Sequence, residues 1–208
     1  MPGCFISLDG LDGTGKSTQC RLLAEWLRSK GHTVTTCADP GGTAAGDVIR
    51  ALLLEHRGEL TVPAEAFLFM ASRAQLVAEV IRPALAGGDV VVSDRFLLAN
   101  VVYQGHAGGI DPALLWTMGG LATGGVLPDL TVVLDLPVEA ASARRGRPAD
   151  RMEQRDAAFH ERVRAGFLLE AQRQPERVRV VDATPGVDVV QQRIREEVEH
   201  VLAARSRT

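Results

Sequence analysis

Lysine is almost missing from this 208-residue chain: of 23 basic residues, only Lys16 and Lys30 are lysine. Arginine is therefore the default cation, and a lone arginine carries little information. A lysine inside a motif stands out. Cysteine is scarce too. Cys4, Cys20 and Cys37 are odd in number and form no CxxC pair. That argues against a disulfide framework and a zinc site, and points to a reducing, cytoplasmic setting. Cys4 and Cys37 lie in apolar runs and read as small core residues. Aromatics make up 4% of the chain, with Tyr103 the single tyrosine. No apolar stretch approaches the roughly 20 residues of a membrane helix, so no membrane partner is expected. The start, Met1-Pro2-Gly3-Cys4, lacks the basic and long apolar regions of a secretion signal. A basic surplus is missing as well: the formal net charge is −3, so no grip on long nucleic acid is expected. The five histidines, His32, His56, His106, His160 and His200, form no cluster and receive no chemistry.

What is present fits one globular domain over residues 1–208, with 46% apolar and 24% charged residues. Short Val/Ile/Leu-rich runs alternate with longer helical patterns, which predicts a three-layer α/β fold around a parallel sheet. The expected strands are Cys4–Leu8, Thr33–Cys37, Asp89–Ser93, Leu130–Asp135 and Val178–Val181. The expected helices are Lys16–Ser29, Pro63–Ala86, Pro112–Leu121, Val138–Arg145, Met152–Gln172 and Val187–Ala204. The stretch Arg144–Asp150 (RRGRPAD) is polar, basic and broken by Gly and Pro, and predicts a mobile loop. Gly105–Gly109 and Gly119–Gly125 are further expected flexible points.

Directly after the first strand comes Gly10-Leu11-Asp12-Gly13-Thr14-Gly15-Lys16-Ser17-Thr18. This fits G-x-x-x-x-G-K-[ST], with a strand before it and a helix after it. Glycines let successive backbone N–H groups turn inward onto phosphates, and the helix adds its positive end. Lys16 reaches the β- and γ-phosphates of a nucleoside triphosphate, and the Ser17 hydroxyl can ligate Mg²⁺. Asp94, at the carboxyl end of an apolar strand, is a second candidate for the metal, and Arg95 beside it suggests a second anion in the site. A GTPase would carry an N/TKxD motif. With lysine only at 16 and 30, none exists.

Taken together, LDGLDGTGKST (8–18), DPGGT (39–43), FLFMASRAQL (67–76), SDRF (93–96), VVYQG (101–105), PDLTVVLDLP (128–137), DRME (150–153) and VDAT (181–184) resemble the thymidylate kinases. These are P-loop nucleoside monophosphate kinases, and the match runs from Phe5 to about Val201 in bacterial order and spacing. The resemblance implies a five-stranded parallel sheet wrapped by helices, a homodimer, and the reaction ATP + dTMP → ADP + dTDP with Mg²⁺. It implies that Asp12 accepts from the deoxyribose 3′-hydroxyl, Phe69 stacks on thymine, and Arg73 reaches the base. Arg95 then grips the monophosphate, Tyr103 crowds the sugar 2′ position, Gln104 touches the base edge, and Asp9 and Asp94 lie near Mg²⁺. Some members carry an arginine within the loop where this chain has Gly13, and members without it use a basic lid. Here the lid is about 144–152, with Arg144, Arg145, Arg147 and Arg151. Arg147 and Arg151 are the first choices for the transition-state cation, against the alternative of a solvated loop.

Two departures bear on the acceptor. The usual REPGGT is Ala38-Asp39-Pro40-Gly41-Gly42-Thr43 here, losing an arginine and shortening a glutamate. Ala99 and Asn100 replace a Ser and a Thr. A kinase for another deoxynucleoside monophosphate, and a nucleotide-binding regulator without transfer activity, therefore stand as alternatives.

Overall fold

The computed structural model describes residues 3–56, 58–145 and 150–205. Of the expected lid, residues 146–149, including Arg147, lie outside the described residues. Five strands, β1 (Cys4–Gly10), β2 (Val34–Ala38), β3 (Val90–Asp94), β4 (Leu130–Asp135) and β5 (Val178–Asp182), form one all-parallel sheet in the order β2-β3-β1-β4-β5. β1 lies at its centre and is buried along its whole length, as its apolar run requires. Alternation along the strands feeds two cores. Cys4, Ile6 and Leu8 face the helices α1 (Lys16–Ser29), α8 (Ala157–Arg173) and α9 (Val187–Arg205). Phe5 and Val91 face the other layer, built on α3 (Val62–Leu76) and α6 (Pro112–Thr123).

The strands stand where the apolar runs put them, with β2 and β3 each one residue later and β1 and β5 running two and one residues further. Several helices differ. α2 (Ala44–Glu55) was not foreseen; it starts where Thr43 Oγ1 accepts from Gly46 N. The long helix expected over Pro63–Ala86 is α3 followed by a π-helical turn, Val77–Ile81, and α4 (Arg82–Ala86). α5 (Leu97–Asn100) runs into a second π-helical turn, Val101–His106, so Gly105 is buried inside an element rather than in a flexible loop. α6 continues two residues past Leu121 to a left-handed Gly124 at φ 56°. After α7 (Val138–Arg144), the helix expected from Met152 begins only at Ala157. Asp156 accepts from Phe159 N at 2.6 Å and caps it there, leaving 150–155 as turns.

The carboxyl ends of β1, β2 and β3 are in register: Leu8 lies opposite Asp94, and Asp94 opposite Ala38. The first two motifs and SDRF therefore emerge at one edge of the sheet, the edge where parallel α/β folds place their ligands.

Candidate active site

The 10–18 loop turns on glycines. Gly13 and Gly15 hold φ of 91° and 93°, left-handed values that favour glycine. Gly13 is also pinned by space, because a Cβ there would fall 2.0 Å from Ala141 O in α7. Gly15 caps α1 without a side chain, leaving the first-turn N–H groups to face an anion. Lys16 is buried; its Nζ donates to Leu11 O at 2.8 Å and lies 3.5 Å from Asp12 Oδ1. Burial first, and then the Arg95 cation, hold its pKa below the ordinary lysine range. Thr14 Oγ1 closes the turn onto Leu11 O. Ser17 Oγ donates to Asp94 Oδ2 at 2.5 Å, joining the loop to β3.

Arg95 ties this edge together. It sits at φ 69°, a left-handed strain for a residue with a Cβ, of order 1 kcal/mol. Its N–H donates to Leu8 O and its Nη1 to Gly10 O, while its carbonyl accepts from Ser93 Oγ. Nη2 donates to Asp12 Oδ1 at 2.6 Å and lies 3.4 Å from the Tyr103 hydroxyl, which in turn reaches Asp12 Oδ2 at 3.3 Å. Burial alone would raise Asp12, but Arg95 and Lys16 outweigh it and hold the carboxylate well below its ordinary range. Asp9, fully buried, has no hydrogen-bond partner on either oxygen among the described residues. Burial raises it to about 7, against the opposing pull of Arg95 and Lys16.

A cavity of about 560 Å³ opens from this cluster, lined by Asp12, Lys16, Ser17, Thr18 and Asp94 on one side and by Phe69, Arg73, Asn100, Tyr103 and Gln104 on the other. Phe69 is half-buried mid-helix rather than in the core. Arg73, 1% exposed, donates from Nε to Asp39 Oδ2 at 2.5 Å. Asp39, the shortened acid of the DPGGT motif, thus still reaches Arg73. Arg50 of α2 also lines the cavity beside Ala38 and donates to Pro40 O, bringing a guanidinium to the place where the motif lacks one.

The basic segment divides. Arg145 lines the cavity, with its Cγ 3.3 Å from where a Gly13 Cβ would stand and its Nη2 on Ser142 Oγ. Arg144 also lines it and donates to Ala183 O and Thr184 O of the VDAT motif. Arg151, a first choice from sequence, is not among the lining residues. Its Nε donates to Leu53 O and its Nη1 to Glu65 Oε1 at 2.6 Å, so its guanidinium is held against α2 and α3. Asp150 and Glu153 of the DRME motif line the cavity; the Glu153 carboxylate accepts from Asp150 N.

Hard oxygen donors at Ser17 and Asp94, with the unpartnered Asp9 carboxylate close to them, suit Mg²⁺, which takes few protein ligands alongside substrate phosphates.

Among known proteins, a family model described as thymidylate kinase matches residues 8–194. The chain belongs to the thymidylate kinase family. It is 48% identical to a thymidylate kinase of Rhodopirellula baltica, over 93% of this chain and 79% of that protein. It is 47% identical to one of Symbiobacterium thermophilum, over 98% and 96% respectively. A crystal structure of thymidylate kinase from Ehrlichia chaffeensis matches 95% of this chain and 99% of its own, with a TM-score of 0.78 at 29% identity. No helix among the described residues is long and apolar enough to cross a membrane.

In this kinase, sequence reasoning missed Asp39, Arg50, Glu65 and Asn100. Asp39 and Asn100 entered the sequence reading only as departures from the family pattern, and their contacts with Arg73 become visible only in the fold. Glu65, an acid in a helical first turn, carries no signal in the sequence; its partners Gln104, Arg151 and Arg155 are all far away along the chain.

Proposed function

We propose that the enzyme transfers the γ-phosphoryl group of ATP to dTMP, giving dTDP and ADP, inside the single cavity that joins the phosphate loop to the Phe69–Arg73 pocket. The carrying observation is that shared cavity. One end offers Lys16 and inward backbone amides, the other an aromatic face with buried polar groups, and Arg95 stands between them. Phosphoryl transfer asks mainly for alignment and charge neutralisation, because the acceptor oxygen is already anionic. Lys16 leaves Leu11 O for the donor phosphates. Arg95, held by three backbone contacts, offers its guanidinium to the acceptor phosphate. Asp12 takes the 3′-hydroxyl, and Tyr103, locked between Arg95 and Asp12, fills the space a 2′-hydroxyl would need. Ser17 and Asp94 would hold Mg²⁺, which when bound would supply charge neutralisation on the donor phosphates. The P–O bond to the β–γ bridging oxygen breaks as one to the dTMP phosphate forms, and ADP carries away the electron pair. Arg145, already against the loop, is the cation that shields this transfer, and the segment 144–152 acts as the lid of a single domain.

A coupled assay of ADP release tests this. Turnover is expected to be strongest with dTMP, and Lys16→Ala should lower it on the order of a thousandfold, since no other lysine is near. Turnover favouring another acceptor, or retained by the variant, contradicts the reading.

The homodimer has its own support. Val48 of α2, Phe67 of α3 and Leu114 and Leu121 of α6 are 72%, 63%, 52% and 87% exposed on neighbouring helices. Such a patch is costly in water and suits a second copy. Phe67→Glu with Leu121→Glu should halve the mass in analytical ultracentrifugation; an unchanged mass places the dimer contact elsewhere.

A further inference from the structure

Arg73, Asn100, Gln104 and Glu65 form a buried row of hydrogen bonds whose direction is fixed at both ends. Arg73 can only donate, and its Nη1 gives to Asn100 Oδ1 at 3.0 Å. Asn100 Nδ2 gives to Gln104 Oε1 at 2.9 Å, and Gln104 Nε2 to Glu65 Oε2 at 3.2 Å. The Glu65 carboxylate accepts only, and its other oxygen takes Arg151 Nη1 at 2.6 Å and Arg155 Nη2 at 2.9 Å. Each of the four is at most 2% exposed. Reversing either amide would set donor against donor or acceptor against acceptor between groups at most 2% exposed.

This locked direction decides what the pocket shows a base. Arg73 and Asn100 both line the cavity beside Phe69. With Asn100 Oδ1 turned toward Arg73, the row offers guanidinium donors next to an amide acceptor. That pattern matches a carbonyl beside a ring N–H, as at C4 and N3 of thymine. Cytosine offers an amino group and a bare ring nitrogen there and is mismatched twice. A free asparagine would turn over and donate to that nitrogen; this one is tethered.

We propose that Glu65, which does not line the cavity, is a positioning residue for acceptor specificity. By ending the row in an obligate acceptor it holds Asn100 in the orientation that takes thymine and refuses cytosine. Arg151 and Arg155 compensate its charge, so the lid-side arginine turned away from the cavity serves base selection instead. This inference rests on the dTMP-kinase reading above.

The test is steady-state kinetics with dTMP, dUMP and dCMP. In Glu65→Gln the two arginines claim the amide oxygen, so its NH₂ faces Gln104 and opposes the row. The kcat/KM preference for dTMP over dCMP should fall roughly tenfold or more, mainly through the KM of dCMP, because an unmatched buried polar contact sets the discrimination. The preference for dTMP over dUMP should hold within about twofold, because uracil presents the same edge. Both preferences unchanged, or turnover falling in parallel for all three acceptors, overturns the proposal and leaves Glu65 a structural residue. Should Glu65→Gln not fold, Gln104→Leu decides: it frees Asn100 while leaving Glu65 with its arginines, and the same selective shift is expected. A wild-type enzyme without dTMP turnover overturns the function itself, and the inference with it.

Discussion

Position 13 shows how single residues divide the catalytic work. A side chain there would meet the Ala141 carbonyl, so position 13 has no room for an arginine with α7 where it is. Arg145, leaving the end of α7, lies over the same spot. Arg145→Ala is therefore expected to lower kcat on the order of a hundredfold with little change in either KM, the mark of a contact made in the transition state. Unchanged kcat would return it to a solvated loop. Of this residue-level chemistry, Lys16, Ser17, Asp94 and Arg95 were legible because fixed local spacing places them. Arg151, a first choice for the transition-state cation, is turned in this structure to Glu65, 86 residues away, a contact that a basic run cannot reveal because it reports charge and not direction.

Among the elements, the strands were readable as short Val/Ile/Leu-rich runs, most clearly β1, β3 and β4, which are buried almost throughout, and less so the edge strands β2 and β5, which are partly exposed. The two π-helical turns were not, since they break the periodicity that a helix reading depends on. One of them, Val101–His106, carries Tyr103 and Gln104 into the site and is braced from behind. Glu170 of α8 accepts from His106 Nε2 at 2.8 Å, Trp116 Nε1 at 3.1 Å and Arg173 Nη1 at 2.9 Å, tying the turn to α6 and α8. Burial would raise this carboxyl, but hydrogen bonds from His106, Trp116 and Arg173 outweigh it and hold it below the ordinary 4.5. A group lowered in the folded state stabilises above its unfolded value and loses that contribution as pH falls through the folded one. Glu170→Gln should thus cost about 1–3 kcal/mol in denaturant unfolding at pH 7, and progressively less below the ordinary carboxylate range. A pH-independent difference would mean that packing, not charge, is what Glu170 supplies.

The whole molecule is organised by the strand order. Placing β1 between β3 and β4 brings the phosphate loop beside Asp94 and Arg95, and the β2 end with Asp39 beside them. Pattern and the family resemblance carried the three-layer parallel architecture in the sequence, but not the order of the strands. The polar row behind the base pocket did not show, because it joins α3, α5, a π-helical turn and the 150–155 segment through contacts between distant positions. The central claim is that one cavity holds both nucleotides with their phosphates facing. Calorimetric titration of dTMP into the enzyme saturated with Mg²⁺ and a non-hydrolysable ATP analogue tests it most directly. The account predicts one dTMP bound per chain with the analogue still in place; dTMP excluded by the analogue, or displacing it, would contradict it.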